Sequence, residues 1–369
     1  MSWQFAYATA CEKDGRAPRE EIAEVVELES LTLNGNCPER FHRRVDDAEV
    51  ATLCQALSSV PSVTEVDFSF SNIGNDGAIA FADLLRKNNS IQFVSFAHNN
   101  IGAEGARALA DALMFNMTVV SISLRGNDIG EEGGIAMATM LRGNNTLVSL
   151  DLGNCGLMTK ALVMLSQALQ THPALCSLNI DKPLLKGPHD IQYVMQHLAH
   201  TLASNNLLVE LSMDYFGLYD CHLAALLPAL VQNSTITALS FQGNKFSQDG
   251  GLLLAKLLTR RPEIVTLNVN ANRLDDEGAI ALATAIGSHT SLQNLYLKNN
   301  SIGERGLSAL ASALNANISV TQVLLWGNRF SEAAAAAWYN IGHRLKQLQY
   351  IDFELHVVDG VAQLAQRND

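Results

Sequence analysis

The sequence predicts an α/β solenoid: short parallel strands on a concave face, helices on a convex face, and one strand–helix unit about every 28 residues in a horseshoe-like stack. Two observations carry this. A pattern with apolar residues at its first, fourth and sixth places and Asn at its ninth begins at Leu28, Val63, Ile91, Val119, Leu147, Leu175, Leu208, Ile236, Ile264, Leu292, Val320 and Leu348. Nine of the eleven intervals are 28 residues, the others being 35 and 33, and chance does not produce nine equal spacings. Between the patterns lie amphipathic stretches such as Ala106–Leu113, whose apolar residues recur at helical spacing.

Each part of the unit has a physical reason. The strand alternates, with Leu150 and Leu152 inward and Asp151 outward, as a period of two requires. The Asn column follows: Asn36, Asn99, Asn127, Asn244, Asn272, Asn300 and Asn328. A buried amide offers two donors and an acceptor, enough to satisfy turn backbone groups in its own coil and in its neighbour. Next comes an acidic residue before Gly and a small residue, as in Glu104-Gly105-Ala106 and Glu277-Gly278-Ala279. The carboxylate suits a helix N-terminus, and Gly and Ala let neighbouring helices approach closely.

Residues 1–27 lack the repeat and carry Trp3, Phe5 and Tyr7, which reads as a terminal cap or a short docking segment. The array covers 28–356, with regular blocks 28–174 and 208–356 around an irregular repeat, 175–207. There the Asn column is replaced by Cys155, Pro183 and Phe216, and an insertion runs from Lys182 to His189. Residues 357–369 read as a C-terminal tail.

Composition narrows the function. The chain has 369 residues, 48% hydrophobic, and a net charge of −12 from 37 acidic and 25 basic residues. That balance argues against direct contact with nucleic acid or an anionic membrane, both of which need clustered Lys and Arg. No apolar run approaches the length of a membrane span, and no secretory leader opens the chain, so an intracellular, cytoplasmic protein is expected. The six cysteines show no metal spacing and read as buried thiols. The sequons at Asn88, Asn116, Asn144, Asn233, Asn299 and Asn317 read as products of a repeated turn. With no phosphate loop, nucleophile elbow or zinc motif, the expectation is a protein without enzymatic activity, cofactor, metal or small-molecule substrate.

Binding residues are sought among the outward strand positions, most of which are small and polar. Two groups depart from that rule. An acidic group, Asp151, Asp181, Glu210 and Asp214, would attract a basic partner segment. An apolar group, Tyr296, Leu324 and Trp326, with Lys298 beside it, would form a protein-binding patch anchored by Trp326.

The 28-residue period with a full helix resembles the leucine-rich repeats of the ribonuclease-inhibitor class. Three segments carry a narrower likeness: Leu178–Leu185, Leu325–Ala333 with its Trp326-Gly327-Asn328 turn, and Val357-Val358-Asp359-Gly360. In these the chain resembles the leucine-rich repeat-containing protein 34 family. The resemblance implies a non-catalytic scaffold or adaptor, housed in the motile cilium or flagellar axoneme and held by axonemal proteins, or alternatively a nucleolar adaptor. Ran-activating GTPase regulators share the fold and period. Their strongly acidic C-terminal tail has no counterpart in Gln363–Asp369.

Overall fold

In the computed structural model, which describes residues 2–24, 29–38 and 40–367, the chain divides at Lys186 and Gly187 into two compact units. That division falls inside the Lys182–His189 insertion. Leu28, taken as the first repeat's opening residue, lies outside the described residues.

The first unit runs α1 (Trp3–Lys13), α2 (Glu20–Ala23), β1 (Ser30–Thr32), α3 (Asp47–Leu57), β2 (Glu65–Asp67), α4 (Asn75–Leu85) and β3 (Phe93–Ser95). It continues through α5 (Ala103–Leu113), β4 (Ser121–Ser123), α6 (Gly130–Gly143), β5 (Ser149–Asp151), α7 (Thr159–Thr171) and β6 (Ser177–Asn179). The second unit runs α8 (Pro188–Ser204), β7 (Glu210–Ser212), α9 (Asp220–Gln232), β8 (Ala238–Ser240), α10 (Gln248–Arg260), β9 (Thr266–Asn268) and α11 (Asp275–Gly287). It ends with β10 (Asn294–Tyr296), α12 (Glu304–Ala316), β11 (Gln322–Leu324), α13 (Glu332–Asn340), α14 (Gly342–Leu345), β12 (Tyr350–Ile351), β13 (Phe353–Val358) and β14 (Val361–Gln366).

Within the first unit β1–β6, and within the second β7–β12, pair successively in parallel and in register, Val94 beside Ile122 and Leu295 beside Val323. Helices pack in the same order behind them. Each unit is a leucine-rich-repeat solenoid, and the predicted fold class holds.

The Asn column works as its chemistry requires. Asn127 Nδ2 donates to Phe96 O of the preceding coil and to Leu124 O of its own, while Oδ1 accepts from Ile101 N. Asn272 repeats the arrangement with Phe241 O, Val269 O and Phe246 N. Cys155 substitutes with its thiol, which donates to Leu124 O at 3.0 Å. Burial pushes that thiol's pKa up to about 12, so it stays protonated and keeps its donor. Asn36, expected in the column, is exposed instead.

Some helix starts are capped from within, by Asp46, Ser247 and Ser331, and others across coils. Asp276 Oδ1 accepts from Gly303 N (2.7 Å) and Gly306 N (2.9 Å) of the next coil, and Asp47 receives Gly74 N. The capping group therefore stands two residues before the Gly, not immediately before it as the sequence suggested. Closeness explains the glycine: a Cβ at Gly306 would meet Ala279 Cβ and Asp276 Oδ1, each at 2.9 Å.

A second ladder lines the helix-to-strand turns and consumes several of the sequon amides. Asn116, Asn144, Asn233 and Asn317 are buried, each donating to two carbonyls one coil back, such as Leu113 O and Asn116 O for Asn144. His172, Arg261, His289 and Arg344 fill the same place in other coils. His289 bridges to Arg261 O through Nε2, but the buried His172 Nε2 has no partner, while its Nδ1 accepts from Ala174 N and Leu175 N. Burial holds the His172 pKa below the ordinary imidazole value. Its neutral form therefore contributes stability above about pH 6.5, and that contribution is lost as pH falls through the unfolded-state value. We expect His172→Asn, whose amide reaches toward Leu141 O and Asn144 O, to stabilise the first unit by about 1 kcal/mol. Chemical denaturation at pH 7.5 and 5.5 checks both points, because the variant's gain should be larger at the lower pH.

The ends are closed differently. Along α1, Trp3, Tyr7 and Cys11 are buried, and the helix packs on α3; Trp3 Nε1 donates to Ile22 O and the Tyr7 hydroxyl to Glu49. Of the N-terminal aromatic cluster only Phe5 remains at the surface. At the other end, the residues read as the last repeat's edge and a tail form the β13–β14 hairpin, turned at Asp359 and Gly360 with φ of 52° and 80°.

Candidate protein-binding surface

Strand pairing sets Tyr296 on β10 directly beside Leu324 on β11, and Trp326 follows two residues later on the same face. All three are half-buried rather than fully exposed. Trp326 stacks at 6.3 Å on Phe330, Phe330 meets Phe353 at 5.6 Å, and Phe353 meets the fully buried Trp338 edge-on at 5.3 Å. The expectation of a freely exposed tryptophan is corrected here. The turn after β11 carries Phe330 back beneath it, so an aromatic row runs from the surface into the core.

Asp352 fixes the backbone of this ledge. Its buried carboxylate accepts from Leu325 N at 2.8 Å and Trp326 N at 3.0 Å, and Lys298 Nζ lies 3.3 Å from Oδ2. Lys298 thus balances a buried charge, besides edging the patch. The Tyr296 hydroxyl donates to Gln322 Oε1, and burial raises its pKa. Arg367 lies over the Tyr350 ring at 5.6 Å, and Arg329 is exposed in the turn after β11.

The acidic group is not brought together as an open acidic patch. Asp151 and Asp181 belong to the first unit, where Arg125 stretches along the face to reach both, at 3.6 and 3.1 Å. Asp181 is buried, and desolvation pushes the Asp151 pKa up against the pull of the Gly153 N–H and Arg125. A Cβ at Gly153 would meet Arg125 Nη1 at 2.6 Å, which is why the path needs glycine. In the second unit, Asp214 accepts from Ser240 Oγ and Gln242 N, and Glu210 alone of the four is exposed. Asp151, Asp181 and Asp214 are largely spent on ties between coils.

The strand-column reading missed a different feature. The residue after the second outward position has φ above zero in most coils: Phe70, His98, Asn154 and Lys182 in the first unit, Tyr215, Ala271 and Asn299 in the second. A bulky side chain there is strained and is thrown outward over the next coil. Phe70 stacks on His98 at 4.4 Å. Tyr215, 51% exposed, lies where a Cβ on Gly243 would meet its ring at 2.3 Å. Tyr219 is exposed nearby in sequence, with Lys245 Nζ 4.6 Å from its ring centre. The signal was available: other coils place Gly126, Gly243 or Gly327 at that position.

Fold and repeat geometry are those of a leucine-rich-repeat solenoid. The leucine-rich-repeat family profile matches residues 61–82, 87–110, 115–138, 232–255, 264–283 and 288–311. Within that class the chain is similar to Leucine-rich repeat-containing protein 34 of Mus musculus, 33% identical over 102 residues, which is 28% of this chain and 24% of the relative. Among solved structures, the yeast complex of Rad7 and Elc1 shares the fold over 95% of this chain and 87% of the other, with a TM-score of 0.53 and 15% identity. An internalin of Listeria monocytogenes aligns over 96% and 95% at a TM-score of 0.43 and 14% identity. Among the described residues, no helix is long and apolar enough to cross a membrane.

Proposed function

We propose that the chain is a non-catalytic adaptor that holds a partner protein on the Tyr296–Leu324–Trp326 ledge. The observation that carries this is the strand register, which sets Tyr296 beside Leu324 on a face otherwise lined by small polar residues. Asp352 pins the adjoining backbone and Lys298 offsets its charge, so the ledge is held in place before a partner arrives. The complementary segment carries an apolar anchor that packs on this ledge. Following the family resemblance, we place this partner among the proteins of the motile axoneme.

Two experiments test the reading. A photo-crosslinking amino acid at position 324 should give discrete protein adducts in cells, while one at Thr284, exposed on α11, should not. Equal labelling from both positions removes the ledge from consideration. Detergent-extracted axonemes should retain a tagged copy, and complete extraction would refute the axonemal placement.

A further inference from the structure

We propose that the β13–β14 hairpin is a homodimerisation element, in which β14 pairs antiparallel with β14 of a second copy around a two-fold axis at Leu364. Arg367 N donates to Asp352 O at 3.1 Å, and these residues stand directly opposite in the hairpin register. In an antiparallel ladder such bonded pairs alternate with non-bonded ones. Glu354–Ala365, His356–Gln363 and Val358–Val361 are therefore bonded pairs. The backbone polar groups of Ala362, Leu364 and Gln366 consequently point away from β13, and the two strands form a sheet of their own.

α13 packs against β14, but in its sequence the outer edge lacks the usual protection. Exposed edges are normally guarded by Lys, Pro, a bulge or a covering element. β14 reads Val-Ala-Gln-Leu-Ala-Gln, without a charge or a proline, and its pairing with β13 has no bulge. Isolated two-stranded sheets are marginal and gain stability from further strands. Leu355 and Leu364 face each other on one side of this one, next to Val357 and Ala362. Phe353 at its base is buried, whereas Val357 and Val358 toward the turn are 53% and 48% exposed.

Charge argues for a second copy as the occupant. A chain of net charge −12 repels its own copies, yet 357–366 carries one formal charge, Asp359. This is a segment where self-association meets little repulsion. Symmetry adds the rest. A two-fold at Leu364 sets it against Leu364 of the second copy and Ala362 against Gln366, so one row across four strands reads Leu355, Leu364, Leu364, Leu355.

Sedimentation equilibrium from 1 to 300 μM is the test. The wild type should approach twice the 39.9 kDa chain mass. Leu364→Lys, which sets two ammonium groups at the axis, and Ala362→Pro, which removes one outward N–H without touching a bonded pair, should each weaken dimerisation at least tenfold while the dilute monomer keeps its wild-type circular dichroism spectrum. Leu364→Cys should give a disulfide-linked dimer on mild oxidation, since Cα atoms of a bonded pair stand about 5.5 Å apart, within disulfide reach. A wild type monomeric throughout the range overturns the proposal. So does a dimer that neither Leu364→Lys nor Ala362→Pro weakens, because it would use another surface.

Discussion

Asn272→Ala should destabilise the second unit by about 3 kcal/mol, among the larger losses expected of a single polar substitution. The Asn272 amide spans two coils, donating to Phe241 O, Val269 O and Asn270 O and accepting from Phe246 N. Alanine leaves these groups buried without a partner at a site only 4% exposed. Neighbouring coils lose their common support as well, so the damage spreads along the stack. Urea denaturation followed by circular dichroism measures the loss. A change below 1 kcal/mol would mean that the ladder is redundant.

Trp326→Ala should weaken partner binding about 30-fold, equivalent to about 2 kcal/mol. The ring is half-buried on Phe330, so truncation also removes packing, at about 1–2 kcal/mol of stability. The two effects separate by a companion variant. Phe330→Ala takes away the underlying ring and should cost similar stability with a smaller loss of affinity. The partner captured by crosslinking from position 324 supplies the binding assay, read by calorimetry at physiological salt. Equal affinity losses for the two variants would make Trp326 a packing residue and move the anchor elsewhere.

The irregular coil and the acidic group show where local reading stops. Pro183 and Phe216 were recognised as residues that cannot serve the amide ladder, and the chain does divide inside the insertion beside them. Asp181 and Asp151 read as free charges, because the strand pattern puts Arg125 on the same face without showing that its side chain spans the 56 residues to Asp181. Trp326 looked exposed for a related reason. Its outward place in the strand pattern is correct, but the ring beneath it comes from Phe330, beyond the turn. The sequons at Asn88, Asn116 and Asn144 show a 28-residue spacing without its cause, since the carbonyls that Asn116 and Asn144 meet lie a full coil away.

By itself the sequence determined the period, the strand and helix in each unit, the inward and outward faces and the identity of the Asn ladder. All of these follow from spacing, because a repeated unit must bury the same face against its neighbour each time. Tertiary structure alone decided which charges are spent, which aromatic rings are supported from below, where the helix caps come from and how the C-terminal residues pair. The charge pairing and the cross-coil caps depend on contacts about 28 or more positions apart, and the ring support and hairpin on how a turn folds back, so packing and desolvation rather than local pattern set the outcome.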